Sequence, residues 1–281
     1  MWYYCVMDFD YILADPTGNI TVLITSPYTP ETRSKMIQDA FAKEPDCEQV
    51  GFVMPCEGKR IRLEMMAYEF CGNATLSSAA LLMHSSDPVP GSEDIITVDS
   101  SGAGRPLDVR LKRLPDLEEK GCCMPVYQGT LNMPVPEVSS FRGYPLISFE
   151  GISHLLVPDS DFTDEEAETA VKSFAEELGV SALGMMLYTY DETSGIILPD
   201  SLSMRPLVYV PGSGTLFWEH GCATGSTAAG WYRYYESGHA VSTEIKQPGG
   251  IIRVDAADGQ ISMTASVIFR SFQIHHRISI F

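Results

Sequence analysis

The sequence predicts an α+β protein of two matching halves, each a sheet folded round a buried helix. Three observations carry this. Residues 72–84 are almost all small or apolar (Ala74, Leu76, Ala79, Ala80, Leu81, Leu82, Met83). A surface helix keeps a polar stripe, so this one belongs inside a sheet. A second small-residue run follows Cys222, reading Ala223-Thr224-Gly225-Ser226-Thr227-Ala228-Ala229-Gly230. Each run is introduced by Glu and then Cys, as Glu69-Phe70-Cys71-Gly72-Asn73 and Glu219-His220-Gly221-Cys222-Ala223, 151 positions apart in a chain of 281. That spacing is about half the chain and puts one such site in each half.

The remaining elements follow in order. Residues 1–24 read as strand, turn and strand, with strand formers in Trp2-Tyr3-Tyr4-Cys5-Val6-Met7 and a turn cluster at Asp15-Pro16-Thr17-Gly18-Asn19. Residues 31–43 place Met36, Ile37, Ala40 and Phe41 at helical spacing. Strands at 49–54 and 60–66 lead to Cys71, and short strands follow at 95–98 and 107–111, with turns at Ser101-Gly102-Ala103-Gly104 and Pro115-Asp116. A loop at 134–138 divides a first half, residues 1–135, from a second, residues 136–281, whose last strand is free to return to the first. The second half repeats the plan: strand 144–157, helix 163–178 with acidic residues in its first turn, strands 183–190 and 203–210, then the Cys222 element. Gly238 should stop the helix begun near Ala223. Strands at 250–254, 260–265 and 269–280 complete the reading.

A hydrophobic content of 44% with 20% charged residues is that of an ordered globular chain, and 281 residues suffice for two domains. The net charge of −18 argues against nucleic acid and anionic membrane surfaces as partners. No apolar run approaches the roughly 20 residues of a membrane span. Seven cysteines, an odd number, and no secretory leader pattern fit a reducing cytoplasm. Neither Cys-x-x-Cys nor His-x-x-x-His occurs, so no metal site is expected, and the adjacent Cys122-Cys123 reads as structural.

A free thiol titrates near pH 8.5, but helix starts carry unpaired N–H groups and partial positive charge that favour thiolate and bind carboxylates. Two such starts facing one pocket would clamp an amino acid's carboxylate and set a sulfur on each side of its Cα. One sulfur removes the proton and the other delivers one to the opposite face. The stereocentre inverts with no cofactor, in an enclosed site whose donors stabilise the developing charge. The plain alternative is that each Cys is a small buried hydrophobe, packed alike in a duplicated fold.

At these residues the chain resembles the diaminopimelate epimerase superfamily of cofactor-independent, two-cysteine racemases and epimerases. Phe70-Cys71-Gly72-Asn73 is similar to the first cysteine motif, and Gly221-Cys222-Ala223-Thr224-Gly225 to the second, with Ala223 where Gly is usual. The resemblance spans nearly the whole chain. It implies a diaminopimelate epimerase-like fold of two pseudo-symmetric domains, each a curled, mainly antiparallel sheet around a central helix. Asn19 resembles the family's early substrate-binding Asn, and Gln49 falls on another substrate-contacting position. The family's Glu-Arg pair before the second Cys has no Arg here, which leaves a second substrate carboxylate without its cation. Cys47-Glu48-Gln49-Val50-Gly51-Phe52, Gly184-Met185-Met186-Leu187, Pro206-Leu207-Val208-Tyr209-Val210-Pro211, Trp218-Glu219 and Gln247-Pro248-Gly249-Gly250 look closer to the histidine racemase branch, which makes D-histidine for nicotianamine-like metallophores.

The expected function is therefore a cofactor-independent amino acid racemase, with histidine the favoured substrate and Cys71 and Cys222 as the acid/base pair. Gly72, Asn73, Ala223, Thr224 and Gly225 should hold the carboxylate, while Asn19, Gln49 and Glu48 orient the rest. Glu48, Glu69 and Glu219 are candidates for the ammonium or an imidazole N–H, against a reading as solvated or helix-start carboxylates. His154 falls where the family often has a pocket histidine, against a satisfied structural one. His220 is open to either reading. His275-His276 alternates across a strand and is discounted as a chelating pair. Thr224 and Ser226 offer hydroxyls to the carboxylate, and Trp218 and Phe70 are expected pocket walls. The partner is thus a small amino acid, with a homodimer left open. The rivals are epimerisation of another amino acid such as diaminopimelate, a phenazine-type isomerase, and a binding protein of the same fold that lost turnover.

Overall fold

A computed structural model describes residues 5–189 and 200–280, with side chains for 9–189 and 200–271. Trp2-Tyr3-Tyr4, Tyr190 and the side chains of His275-His276 lie outside the described residues. The first half runs β1 (Cys5–Pro16), β2 (Thr21–Ile24), α1 (Pro30–Lys43), β3 (Gln49–Pro55), β4 (Arg60–Met65), α2 (Gly72–His84), β5 (Glu93–Ser100), β6 (Leu107–Glu119) and β7 (Cys122–Asn132). The second runs β8 (Glu137–Phe141), β9 (Tyr144–Phe149), β10 (Ile152–Pro158), α3 (Asp164–Leu178), β11 (Leu183–Thr189), β12 (Ser201–Val210), β13 (Thr215–Trp218), α4 (Ala223–Ser237), β14 (Val241–Gln247), β15 (Gly250–Ala257) and β16 (Gln260–Ile280).

Most strand pairs are antiparallel. The parallel ones are β2/β3, β4/β5, β10/β11 and β12/β14, and each is spanned by one of the four helices. Parallel neighbours need a long crossover, so every helix sits in one. α1 and α3 lie on one face of their strands, α2 and α4 on the other. α1 lays Met36 and Ala40 on Phe9, Val22, Val50 and Phe52. α3 lays Val171 and Phe174 on Leu155, Leu183 and Leu207. Its ends are set locally, by the Thr163–Glu166 capping box and by Gly179 at φ 65°.

α2 and α4 share the main core cluster. β1 to β7 and β16 close into a ring, because β16 pairs with β7 over its first part and with β1 beyond. α2 runs inside this ring and touches all eight strands. Ten of its thirteen residues are buried. Its hydroxyls avoid the cost of burial by bonding back one turn: Thr75 to the Cys71 carbonyl at 2.7 Å, Ser77 to Asn73 at 2.9 Å and Ser78 to Ala74 at 2.8 Å. α4 is wrapped by β9, β10, β14, β15 and β16. The result is a mixed, sheet-dominated α+β fold.

Several sequence expectations change. The Pro115-Asp116 turn is a bulge inside β6, where the register shifts between Leu114 and Leu117, and the chain reverses instead at Lys120-Gly121. Pro115 lacks the N–H that a ladder needs, so it is tolerated where pairing is interrupted. The single strand expected at 144–157 is two, β9 and β10, folded at Glu150-Gly151 with Gly151 at φ 85°. The strands expected at 260–265 and 269–280 form one continuous β16. No described helix is long and apolar enough to cross a membrane.

Candidate active site

Cys71 and Cys222 occupy the same position on their two helices. Each is the N-cap, with φ/ψ of −130°/111° and −112°/108°. Each sulfur accepts the N–H three residues on, Ala74 at 3.3 Å and Gly225 at 3.4 Å. Each carbonyl accepts a hydroxyl four residues on, Thr75 and Ser226, both at 2.7 Å. An N-cap is ordinarily an oxygen acceptor. A sulfur serves best there as an anion.

The two helix starts abut. Asn73 Nδ2 donates to the Gly221 carbonyl at 2.6 Å. A Cβ on Gly72 would come within 2.8 Å of the Ala223 Cβ. Thus the Ala found in place of the usual Gly at 223 is accommodated because its neighbour has no side chain. Both cysteines line one narrow, largely enclosed cavity. Phe70, Phe217, Met66 and Ile152 wall it, and Gly72, Asn73, Ala223 and Thr224 lie at its helix-start end.

Its charged groups are acidic. Glu48, Glu69 and Glu219 line it, and no Lys, Arg or His does among the described residues. Glu48 accepts Asn19 Nδ2 at 2.7 Å, the His220 N–H at 3.2 Å and His220 Nδ1. Glu69 accepts the Ala67 N–H at 2.9 Å. Glu219 accepts Gln49 Nε2 at 3.0 Å through one oxygen, while the other is buried without a well-formed hydrogen bond, and the carboxylate lies close to the Cys222 thiol. Gln49 completes a chain by accepting the Cys71 thiol at 2.6 Å through Oε1.

Burial raises all three carboxyls, and burial with the Glu48 charge pushes Glu219 up to about 8. Burial also pushes both thiols well above their usual range; the Glu219 charge adds to this, and the Ala74 and Gly225 amides pull back. Without a ligand both sulfurs therefore rest as thiols. A cation arriving beside the carboxylates would favour thiolate.

Other expected site residues lie further out. Asn19 is fully buried and meets the cavity only through Glu48. The Gly225 N–H caps the Cys222 sulfur, and a side chain at that position would collide with the Met186 sulfur. His154 is not on the cavity. It follows Ile152 by two on β10, inside the α4 core against Gly184 and Phe149, with both ring nitrogens unpartnered and its pKa pushed down to about 3 by burial. Ser226 is spent on the Cys222 carbonyl. Trp218 is not a cavity wall, because alternation on β13 sends Thr215 and Phe217 inward and Leu216 and Trp218 to α3, where the indole donates to Glu168 at 2.8 Å.

Phe217 was thus missed, and so was Gln247. Gln247 Oε1 accepts the Cys222 N–H at 2.7 Å and Gln247 Nε2 donates to Ser226 Oγ at 2.8 Å, which holds the start of α4. Gln247 stood within a recognised stretch, but nothing local linked it to a cysteine 25 residues earlier.

A family model described as the histidine racemase CntK N-terminal domain matches residues 8–276. The chain belongs to the histidine racemase family. It is an isomerase. Histidine racemases of Fusobacterium nucleatum subsp. nucleatum and Staphylococcus aureus are each 29% identical, over 252 and 253 residues, covering 87% and 85% of this chain and 88% and 85% of their own. Among solved structures, a hydroxyproline epimerase from Agrobacterium vitis with bound trans-4-hydroxy-L-proline aligns at TM-score 0.60 and 12% identity, over 99% of this chain and 93% of that one. A probable proline racemase from Agrobacterium radiobacter aligns at 0.57 and 12%, over 97% and 93%. Both share the fold of this family member.

Proposed function

We propose that this chain racemises histidine, exchanging the Cα proton between Cys71 and Cys222 without a cofactor. The observation that carries this is the equivalence of the two sulfurs, N-caps of abutting helices that line one cavity. A substrate carboxylate placed at Gly72, Asn73, Ala223 and Thr224 would meet both helix starts, which supply N–H donors and positive potential. Cα then falls between the thiols. One, as thiolate, takes the proton; the other, as thiol, gives one to the opposite face. Charge building on the carboxylate is met by the same donors, and losing one comparable donor costs about 2.7–4 kcal/mol.

Histidine fits the walls better than a dicarboxylate. Its ammonium and imidazole N–H groups suit Glu48, Glu69 and Glu219, whereas a second carboxylate would find no cation on the cavity. The finer readings belong to the same proposal: a diaminopimelate epimerase-like pseudo-symmetric fold divided near residue 135, a cytoplasmic enzyme, and D-histidine destined for metallophore synthesis. The fold reading is supported by the cysteine motifs and the matched order of crossovers. The test is incubation of L-histidine with the protein in D2O, with deuterium at Cα followed by NMR and the product by chiral chromatography. Deuterated D-histidine is expected. Histidine that stays protonated and L sinks the proposal.

A further inference from the structure

We infer that Gln49 couples Cys71 to Glu219, so that Cys71 becomes a thiolate by passing its proton to Glu219 rather than to bulk water. This rests on the two-thiol reading above. Three contacts motivate it. The Cys71 thiol donates to Gln49 Oε1 at 2.6 Å, Gln49 Nε2 donates to Glu219 Oε1 at 3.0 Å, and Glu219 Oε2 is buried on the cavity without a well-formed hydrogen bond. Among the described residues, Gln49 is the one side chain joining the sulfur of the first helix to the carboxylate that precedes the second.

An amide has a carbonyl that only accepts and an NH2 that only donates. In the orientation described it matches a protonated thiol and an ionised carboxylate. Turned by half a circle about its last torsion, the same amide donates to a Cys71 thiolate and accepts from a protonated Glu219. Both arrangements are fully hydrogen-bonded. They differ by the transfer Cys71–SH + Glu219–COO⁻ → Cys71–S⁻ + Glu219–COOH, in which no proton enters or leaves the protein. A buried carboxylate oxygen without a well-formed hydrogen bond favours taking that proton, and Glu219 has its affinity raised into the working range. The groups that bear on the pair are Cys222 on α4, Glu48 before β3 with His220 against it, and Glu69 before α2 with Arg33 acting on it. The three glutamates disfavour further negative charge, so a proton moved within the site costs less than one expelled from it.

Gln49 acts through its neighbours and is a positioning residue, so its test is a pH profile. Two readouts suit it: kcat/KM for histidine, and the rate at which iodoacetamide alkylates Cys71, located by peptide mass mapping. Alkylation reports thiolate whether or not the protein turns over. In the wild type both should rise about tenfold per pH unit and level off near pH 8, where Glu219 ionises, because the two coupled arrangements hold the same number of protons. Glu219→Gln should remove the plateau, leaving a rise of about tenfold per unit as solvent takes the proton. Gln49→Met, and Gln49→Asn with its shortened amide, should lose the plateau likewise. A folded Gln49 variant that keeps the plateau and changes only KM overturns the coupling, as does a plateau retained in Glu219→Gln. Undiminished racemisation by Cys71→Ser would instead bring down the two-thiol reading, and the alkylation profile would still decide the coupling.

Discussion

Replacing Glu219 by Gln should change how stability depends on pH. The native carboxyl is 5% exposed and titrates near 8, against 4.5 for a free glutamate. Between those values the folded chain keeps a proton that the unfolded chain has released. A group raised in the folded state gives its full contribution below the unfolded pKa and loses it as pH climbs through the folded one. Each pKa unit corresponds to about 1.4 kcal/mol, so the whole interval is worth at most about 5 kcal/mol. Gln49 Nε2 can still donate to an amide oxygen at 219, so the variant keeps that contact and loses the titration. The assay is urea unfolding of both proteins followed by circular dichroism, from about pH 5 to about pH 9. The wild type should weaken relative to the variant across the interval, with most of the gap opened by pH 8. Glu48 and Glu69 shift in the same direction and are present in both proteins, so they enter the difference only through their coupling to Glu219. Parallel curves would refute a buried carboxyl held neutral.

Cys71→Ser and Cys222→Ser should each cut histidine racemisation by orders of magnitude with an unchanged circular dichroism spectrum, because serine keeps the N-cap but is a far weaker acid and base; near-wild-type turnover in either removes the two-sulfur mechanism. Gly72→Ala should force the two helix starts apart against the Ala223 Cβ, costing about 1–3 kcal/mol and most of the activity. Adding Ala223→Gly should restore much of both; an additive double mutant would show that the contact is not the cause. His154→Leu should leave KM unchanged and raise stability by about 1–3 kcal/mol, since it removes two buried unpartnered nitrogens. It should also remove a loss of stability as pH falls below about 6.5, because a histidine held neutral when folded binds its proton only on unfolding.

The parts of this molecule that were legible in sequence are those set by local chemistry. The buried face of α2 shows in its composition, Gly238 and Gly179 close α4 and α3 at φ of 66° and 65°, and the cysteines stand beside their own N–H donors. Four strands escaped notice: β7, β8, β13 and β14. β8, which read as loop, and the start of β7 are largely exposed, with Cys122 and Cys123 beside the turn of the β6–β7 hairpin. Such strands are held by pairing with a neighbour, β8 with β9 and β13 with β12, which local propensity does not record. The same limit explains the site. Trp218 looked like a wall because aromatic residues usually are, but a period of two decides which side of β13 faces the cavity. Glu48 was recognisable as a carboxylate, whereas its grip on His220 joins residues 172 positions apart.

The eight-strand ring around α2 is closed by β16, which sets Ile280 opposite Cys5. A ribosome must therefore deliver β16 before β1, which finds β2 at once, can find its second neighbour. Until then one edge of β1 stays unpaired, and the ring round α2, which begins at Cys71, is open. Such late, far-separated pairing slows folding and lengthens exposure to misassembly. Nascent chains should thus depend on chaperones until the closing strand emerges.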